Sequence, residues 1–244
     1  MKFEDVLGKQ VLVLDGAMGT MVQNLELDDA AFGGAAFKML TDLLVFSRPD
    51  DLEGIHLEYL RAGANLIETD TFGASPLRLK EFDFTQIDIT DIKAIPQGLD
   101  LKKSDYSVIT HHLNVEGCRI AKKAIDRYKN EPEYDGRPLF VAGSIGPSNY
   151  VLSKTEADLN KANWDQIVEN NFLQVKGMIE GGADVLLFET QQDILELKAS
   201  IMGAHKAFDE SGKQLPIIAQ ATVDGFSKMQ ICNTDIHAAL VAVE

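Results

Sequence analysis

Five short apolar runs, at 11–14, 65–67, 139–142, 184–188 and 216–219, set the strongest constraint on how this chain folds. Most are bounded by Gly, Pro or an acid, and they run on rather than alternate with polar residues. A strand with one wet face alternates, and a strand covered on both faces does not. The runs therefore predict a parallel sheet buried between layers. The stretches between them carry apolar residues at helical spacing. Leu52, Ile55, Tyr59 and Leu60 line one side of 51–62, and Ile120, Ala121, Ala124, Ile125 and Tyr128 one side of 115–128. Ile167, Phe172, Val175 and Met178 do the same in 163–179, as do Leu197, Ile201, Met202 and Phe208 in 194–208. Strand, helix, strand, helix is the signature of a parallel α/β fold. Gly-containing turns at 62–64 and 181–183 supply the helix stops.

Two connections exceed the minimal unit, 23–50 and 82–110, and are expected to be loops or small excursions over the surface. Residues 234–244 read as a helix without a stop signal. Five strands cannot close an eight-stranded barrel, whereas a doubly wound open sheet tolerates five. Against the open sheet, no Gly-rich phosphate loop follows the first run. Pattern alone leaves both folds open and suggests a piece of a longer chain.

The 244 residues suit one large α/β domain or two small ones, and 45% hydrophobic residues suffice for a sizeable core. A net charge of -15 repels phosphate backbones and argues against nucleic-acid partners. No apolar run approaches the ~20 residues of a membrane span. The charged start MKFEDVLGKQ does not resemble a signal peptide, so a cytoplasmic location is expected.

Ligands of either fold bind at the C-terminal ends of the strands. There the chain places Asp15-Gly16-Ala17, then Glu68-Thr69-Asp70-Thr71, then Gly143-Ser144, then Glu189-Thr190, then Gln220, Thr222 and Asp224. Acids converging on one mouth suit a cationic group such as an amino-acid ammonium. Neighbouring glycines let backbone N–H groups approach a carboxylate. Taken singly, Asp15 and Thr20 read as a turn or cap and Glu189 as a cap of the next helix; four strand ends sharing the trait favour a site. No Lys ends a strand, which counts against a Schiff-base enzyme. Enolisation assisted by Mg²⁺ on Asp15, Glu68 and Glu189 stays open. His111-His112 is expected in a loop, Cys118 in the core, and His56, His205 and His237 at surface or boundary positions of helices. The spacing of Cys118 and Cys232 makes neither a disulfide framework nor a complete zinc site.

Four motifs in order, VLVLDGAMGTMVQ at 11–23, GANLIETDTFGAS at 63–75, VAGSIGPSN at 141–149 and GGADVLLFETQQDILELKA at 181–199, resemble the homocysteine S-methyltransferase family. Within it, DLLVFSRPD at 42–50 is most similar to the cobalamin-dependent methionine synthases. The resemblance implies a (β/α)8 TIM barrel, here incomplete with about five strand–helix units, as one domain over 1–244. It implies homocysteine as substrate, with Asp15 and Glu189 near its amino group, Gly16 and Ala17 as backbone beside it, and Thr71 lining the pocket. In the family three cysteines hold a zinc ion that binds homocysteine as its thiolate. The resemblance places all three beyond residue 244, so neither Cys118 nor Cys232 is a ligand and no catalytic or metal residue is assigned in this chain. Methylcobalamin and methyltetrahydrofolate would be handled by other domains of the parent enzyme. On this view the chain alone is inactive and, lacking the remaining barrel strands, prone to aggregate. The alternative is a non-catalytic module that binds an amino acid or a partner completing the barrel.

Overall fold

The structure is a computed structural model that describes residues 2–153 and 162–243. Four parallel strands, β1 (Leu66–Glu68), β2 (Phe140–Ile145), β3 (Val185–Gln191) and β4 (Ile217–Ala221), lie side by side in chain order. The helices are α1 (Phe3–Val6), α2 (Met18–Asn24), α3 (Leu44–Ser47), α4 (Pro49–Ala62), α5 (Pro76–Leu79) and α6 (Tyr106–Tyr128). They continue with α7 (Trp164–Gly181), α8 (Ile194–Ser211) and α9 (Ile236–Val243). No described helix is long and apolar enough to cross a membrane.

Burial on both faces, as the continuous apolar runs require, is met in the middle of the sheet. All six residues of β2 are buried. Leu66, Phe140, Ala142, Val185 and Leu187 project to one face and pack on Phe3 and Val6 of α1. Phe3 meets Phe140 edge-to-face at 5.5 Å. Ile67 and Val141 project to the other face, against Leu57 and Leu60 of α4 and Ala121, Ala124 and Tyr128 of α6. Leu186 and Phe188 pack on Val175 and Met178 of α7 and Leu197 and Ala204 of α8. The helices approach each other closely because glycines sit at their crossings. A Cβ at Gly177 of α7 would lie 2.7 Å from the His111 carbonyl oxygen, and one at Gly203 of α8 2.5 Å from that of Val168.

The 11–14 run, expected as a first strand, is reduced to a single parallel bridge between Leu14 and Leu66. The reason is local. The Val13 N–H is taken by the side-chain Oδ1 of Asn65 (3.0 Å) instead of a backbone carbonyl, while the Val13 carbonyl accepts from Asn65 N (2.7 Å) and Leu66 N (3.1 Å). Asn65 Nδ2 also donates to the Pro138 carbonyl (3.0 Å), so one side chain joins three consecutive chain segments at the start of β1. Asp184 repeats the device before β3, its Oδ2 accepting from Val141 N at 2.9 Å. The outermost segments are the least covered. Val11 is 88% exposed and Val13 51%, and no residue of β4 is fully buried.

The two long connections correct the expectation of surface excursions. Phe32, Phe37, Leu40, Leu43 and Phe46 from the first and Phe84, Ile87, Ile92, Leu99 and Leu101 from the second are buried in one shared cluster. Phe37 stacks on Phe82 (5.7 Å) and meets Phe84 edge-on (5.3 Å). The second connection ends early, because α6 begins at Tyr106, ahead of the predicted start at 115. Ile109 and Leu113 drive that extension by packing into the same cluster. His111 and His112 are thus helical and not in a loop, and His111 Nε2 lies 3.2 Å from Glu180 Oε2 of α7. His56 is also corrected. It is 1% exposed, and burial pushes its imidazole down to about 4, against the opposing charge of Glu53. Glu53 in turn pairs with Lys123 (2.6 Å) and Arg127 (3.2 Å) of α6. Cys118 is in the core as expected. The predicted 234–244 helix starts at Ile236, and its last residue lies outside those described.

Replacing Asn65 by Ala leaves the Val13 N–H and the Pro138 carbonyl without partners. The expected loss is ~1–3 kcal/mol of unfolding free energy, read from the urea midpoint at unchanged slope.

Candidate functional site

A cavity of about 490 Å³ opens at the C-terminal ends of the 11–14 run and of β1 to β4. Four carboxyl side chains line it, Asp15, Glu68, Asp70 and Glu189, with Ser144, Gln220 and Phe72, and no Lys, Arg or His is among its described walls. The backbone of Gly16 and Ala17 forms part of the wall. Behind it the Tyr59 hydroxyl of α4 donates to the Ala17 carbonyl (3.4 Å), and a Cβ at Gly16 would sit 3.2 Å from that hydroxyl. A side chain at this position would push on the Tyr59 ring, so glycine suits the close approach.

Asp15 reaches across to the next strand, where its Oδ2 accepts from Glu68 N at 2.9 Å. It is therefore not a local turn residue. Its Oδ1 is buried and has no partner among the described residues. Glu189 does not cap α8; Asp193 does so, accepting from Leu195 N at 2.9 Å. Instead Glu189 Oε1 accepts from the Ser144 hydroxyl. It is aimed there by an irregularity in β3. The register with β4 shifts between Phe188 and Gln191, and Thr190 adopts φ 57°, rare for a β-branched residue. Such bulges re-aim side chains beside functional sites.

Thr71, expected to line the pocket, does not. It is fully buried, its hydroxyl donating to the Ser144 carbonyl (3.0 Å) and sharing a hydrogen bond with Thr69 (2.6 Å), while its methyl faces Gly117 of α6. Its role here is to hold Ser144. The Thr69 hydroxyl accepts from Ser144 N at 3.0 Å. Asp15, Gly16, Ala17 and Glu189 are brought together; Glu68, Asp70 and Ser144 join them without having been singled out as amino-group partners from sequence. Their position at strand ends was the available signal.

Crowding shows in the carboxyl pKa values. Burial, opposed by the Glu68 N–H and reinforced by the Glu189 charge, raises Asp15 to about 7. Burial and the charges of Glu189 and Asp15 raise Glu68 to about 8. Glu189 is also raised by burial, against the Ser144 and Glu68 hydrogen bonds. Burial and the neighbouring Asp42 hold Asp70 well above the usual carboxylate range. Asp42 accepts from Gly73 N (2.8 Å) and belongs to an adjoining compartment of about 260 Å³ that shares Thr41 and Phe72 with the first. The 146–153 loop above is tied to α8, with Ser148 N and Oγ both donating to Glu196 at 2.6 Å and Ser153 N to Asp193 at 2.8 Å.

The residues present do not fit a zinc or magnesium centre. Among those described, no three His, Cys, Asp or Glu side chains gather as metal donors. Cys118 is buried on α6 with its thiol pushed up to about 12 by burial, and Cys232 Sγ lies 3.0 Å from the Thr234 hydroxyl in a turn after β4.

The homocysteine S-methyltransferase profile matches residues 12–244, and the chain belongs to that family. Among curated proteins it is similar to the methionine synthase of Mycobacterium tuberculosis, 34% identical, and to that of Mycobacterium leprae, 33% identical. Each match covers 98% of this chain but only 17% of the relative. The fold matches the homocysteine methyltransferase MmuM of Escherichia coli. Its oxidized form gives a TM-score of 0.70 at 21% identity, over 98% of this chain and 72% of that one. Its metallated form gives 0.68 over the same shares. The parallel sheet is thus part of a barrel-type fold, as the incomplete (β/α)8 expectation held.

The raised carboxyls make a pH prediction. Between pH 4.5 and about 8 the folded chain keeps a proton on Glu68 that the unfolded chain has released. Stability therefore falls as pH rises through that window, and Asp15 adds to the slope up to about 7. Urea midpoints should be higher at pH 5.5 than at pH 8, and E68Q should flatten the difference.

Proposed function

We propose that this chain is the homocysteine-binding part of a longer methionine-forming methyltransferase. The observation that carries the reading is a cavity with four acids and no base at the mouth of this family's fold. An α-amino acid presents an ammonium to such a site. Asp15, whose Oδ1 lacks a partner, and Glu189, fixed by Ser144, are the groups that bind it. Charge-assisted hydrogen bonds then fix the orientation of the ligand. The backbone at Gly16 and Ala17 faces the rest of the amino-acid end.

Zinc, when bound, lowers the pKa of a coordinated thiol. The donors of this chain do not hold it, so no activation step is assigned to them. The metal, and the handling of methylcobalamin and methyltetrahydrofolate, are proposed to belong to parts of the parent enzyme outside these 244 residues. The share of 17% of the length of its relatives supports that division. This chain binds and orients.

Isothermal titration of L-homocysteine should show one site. D15N and E189Q should each weaken it by about 1.5–3 kcal/mol, roughly ten- to a hundredfold in Kd. Binding that both variants leave unchanged, or no binding of any α-amino acid, would overturn the reading.

A further inference from the structure

Glu68 lies within the 63–75 motif without a role assigned from the family resemblance, and it lines the cavity between Asp15 and Glu189. Its backbone N–H is taken by Asp15 Oδ2 (2.9 Å), and both residues line the same cavity. Its side chain faces that of Glu189 within hydrogen-bonding reach. One Glu189 oxygen is already used by the Ser144 hydroxyl. Two carboxyls bonded to each other need a proton between them, because two carboxylates in contact repel. No basic side chain among the described walls can supply the compensating charge. The other titratable groups facing Glu68 do not help. Tyr59 of α4 is a phenol pushed further up by burial and by the charges of Asp15 and Glu68. Asp70, on the loop after β1, is 5% exposed, leaves Oδ2 unpartnered, and faces Asp42, whose cationic neighbour Arg78 lines the adjoining compartment.

We propose that Glu68 holds a proton in the empty cavity and releases it when a ligand ammonium enters, so that amino-acid binding and proton release are one event. The inference rests on the amino-acid reading above and deepens it. The O–H of Glu68 ionises, the proton passes to solvent, and an N–H of the ligand takes its place as donor to Glu189. No other bond is made or broken. The proton belongs to the Glu68–Glu189 pair, with Glu68 as its main holder, since the contact between the two carboxyls raises Glu68 and lowers Glu189. The exchange also sets specificity. A hydroxy or keto acid of the same shape brings no cation, cannot displace the proton, and gains nothing from the ionised cluster.

The test is isothermal titration of L-methionine, which has the same amino-acid head and no thiol to confuse the proton count. It is titrated into the 244-residue chain in two buffers of different ionisation enthalpy. The expected result at pH 7 is release of close to one proton. Kd should tighten as pH rises from 6 to 7.5, approaching tenfold per unit for a full proton. In E68Q the amide donates to Glu189 permanently, so binding should persist with proton release and pH dependence reduced to what Asp15 contributes. The 2-hydroxy analogue of methionine should release none. Parent binding without proton release, or E68Q releasing as many protons as the parent, overturns the proposal and leaves the amino-acid reading standing. No binding of methionine or homocysteine at any pH removes both. Should E68Q fail to fold, the carboxyl ¹³C shift of Glu68 in the free parent chain decides. A protonated carboxyl at pH 7 supports the proposal, and an ionised one overturns it.

Discussion

Carboxyl groups crowded together and partly buried resist carrying their charges at once, since each loses water and each raises the energy of the others. Asp15, Glu68, Asp70 and Glu189 are held in that situation, and much of the surrounding structure serves to hold them there. Parallel strands in register bring their C-terminal ends to one rim, so residues distant in sequence meet without any local motif. Asp15 is hydrogen-bonded to the backbone of Glu68, and Glu189 is turned onto Ser144 by the irregularity in β3. Thr69 and Thr71 hold the backbone of Ser144 from both sides of its peptide. The arrangement is a store of unfavourable electrostatics that a cationic ligand would relieve. A protein built only for stability would have no reason to keep it.

The opposite end of the sheet follows a different logic. Asn65 and Asp184, each one residue ahead of its strand, take backbone N–H groups of the neighbouring segment with their side chains. These bonds fix where each strand begins, and so where its polar end emerges at the rim. A slip of one residue would turn Glu68 and Glu189 to the helix side. The glycines at the helix crossings bring α6, α7 and α8 close enough to cover the sheet. The two long connections build a second core against α6, and Thr41, within the first of them, forms part of the cavity wall.

Much of this was legible in the residues. Four of the five apolar runs are strands, because unbroken burial on two faces leaves a pattern that a single sequence displays. The 11–14 run looked the same and forms one bridge, since pairing depends on a partner, and here the partner offers an Asn side chain. The start of α6 was missed because Ile109 and Leu113 pack on residues of the two connections, a cluster with no local signature. Of the site, Asp15, Gly16, Ala17 and Glu189 were legible through strand ends and family resemblance. Thr71 was not, because it lies next to Asp70 in a turn and the direction of its side chain is set by Ser144 and Gly117. The weight of Glu68 comes from its neighbours, none of which is near it in sequence except Asp70.

The chain belongs to a family named for homocysteine methylation and spans 17% of the length of the methionine synthases it resembles, and the role proposed for it is recognition of the amino-acid end of the substrate. The most direct test is a crystal structure of the chain with L-homocysteine. The account predicts the ammonium nitrogen within ~3 Å of Asp15 Oδ1 and of the Glu189 carboxylate. A ligand seated instead in the adjoining compartment beside Arg78, or turned with its carboxylate toward the four acids, would contradict it.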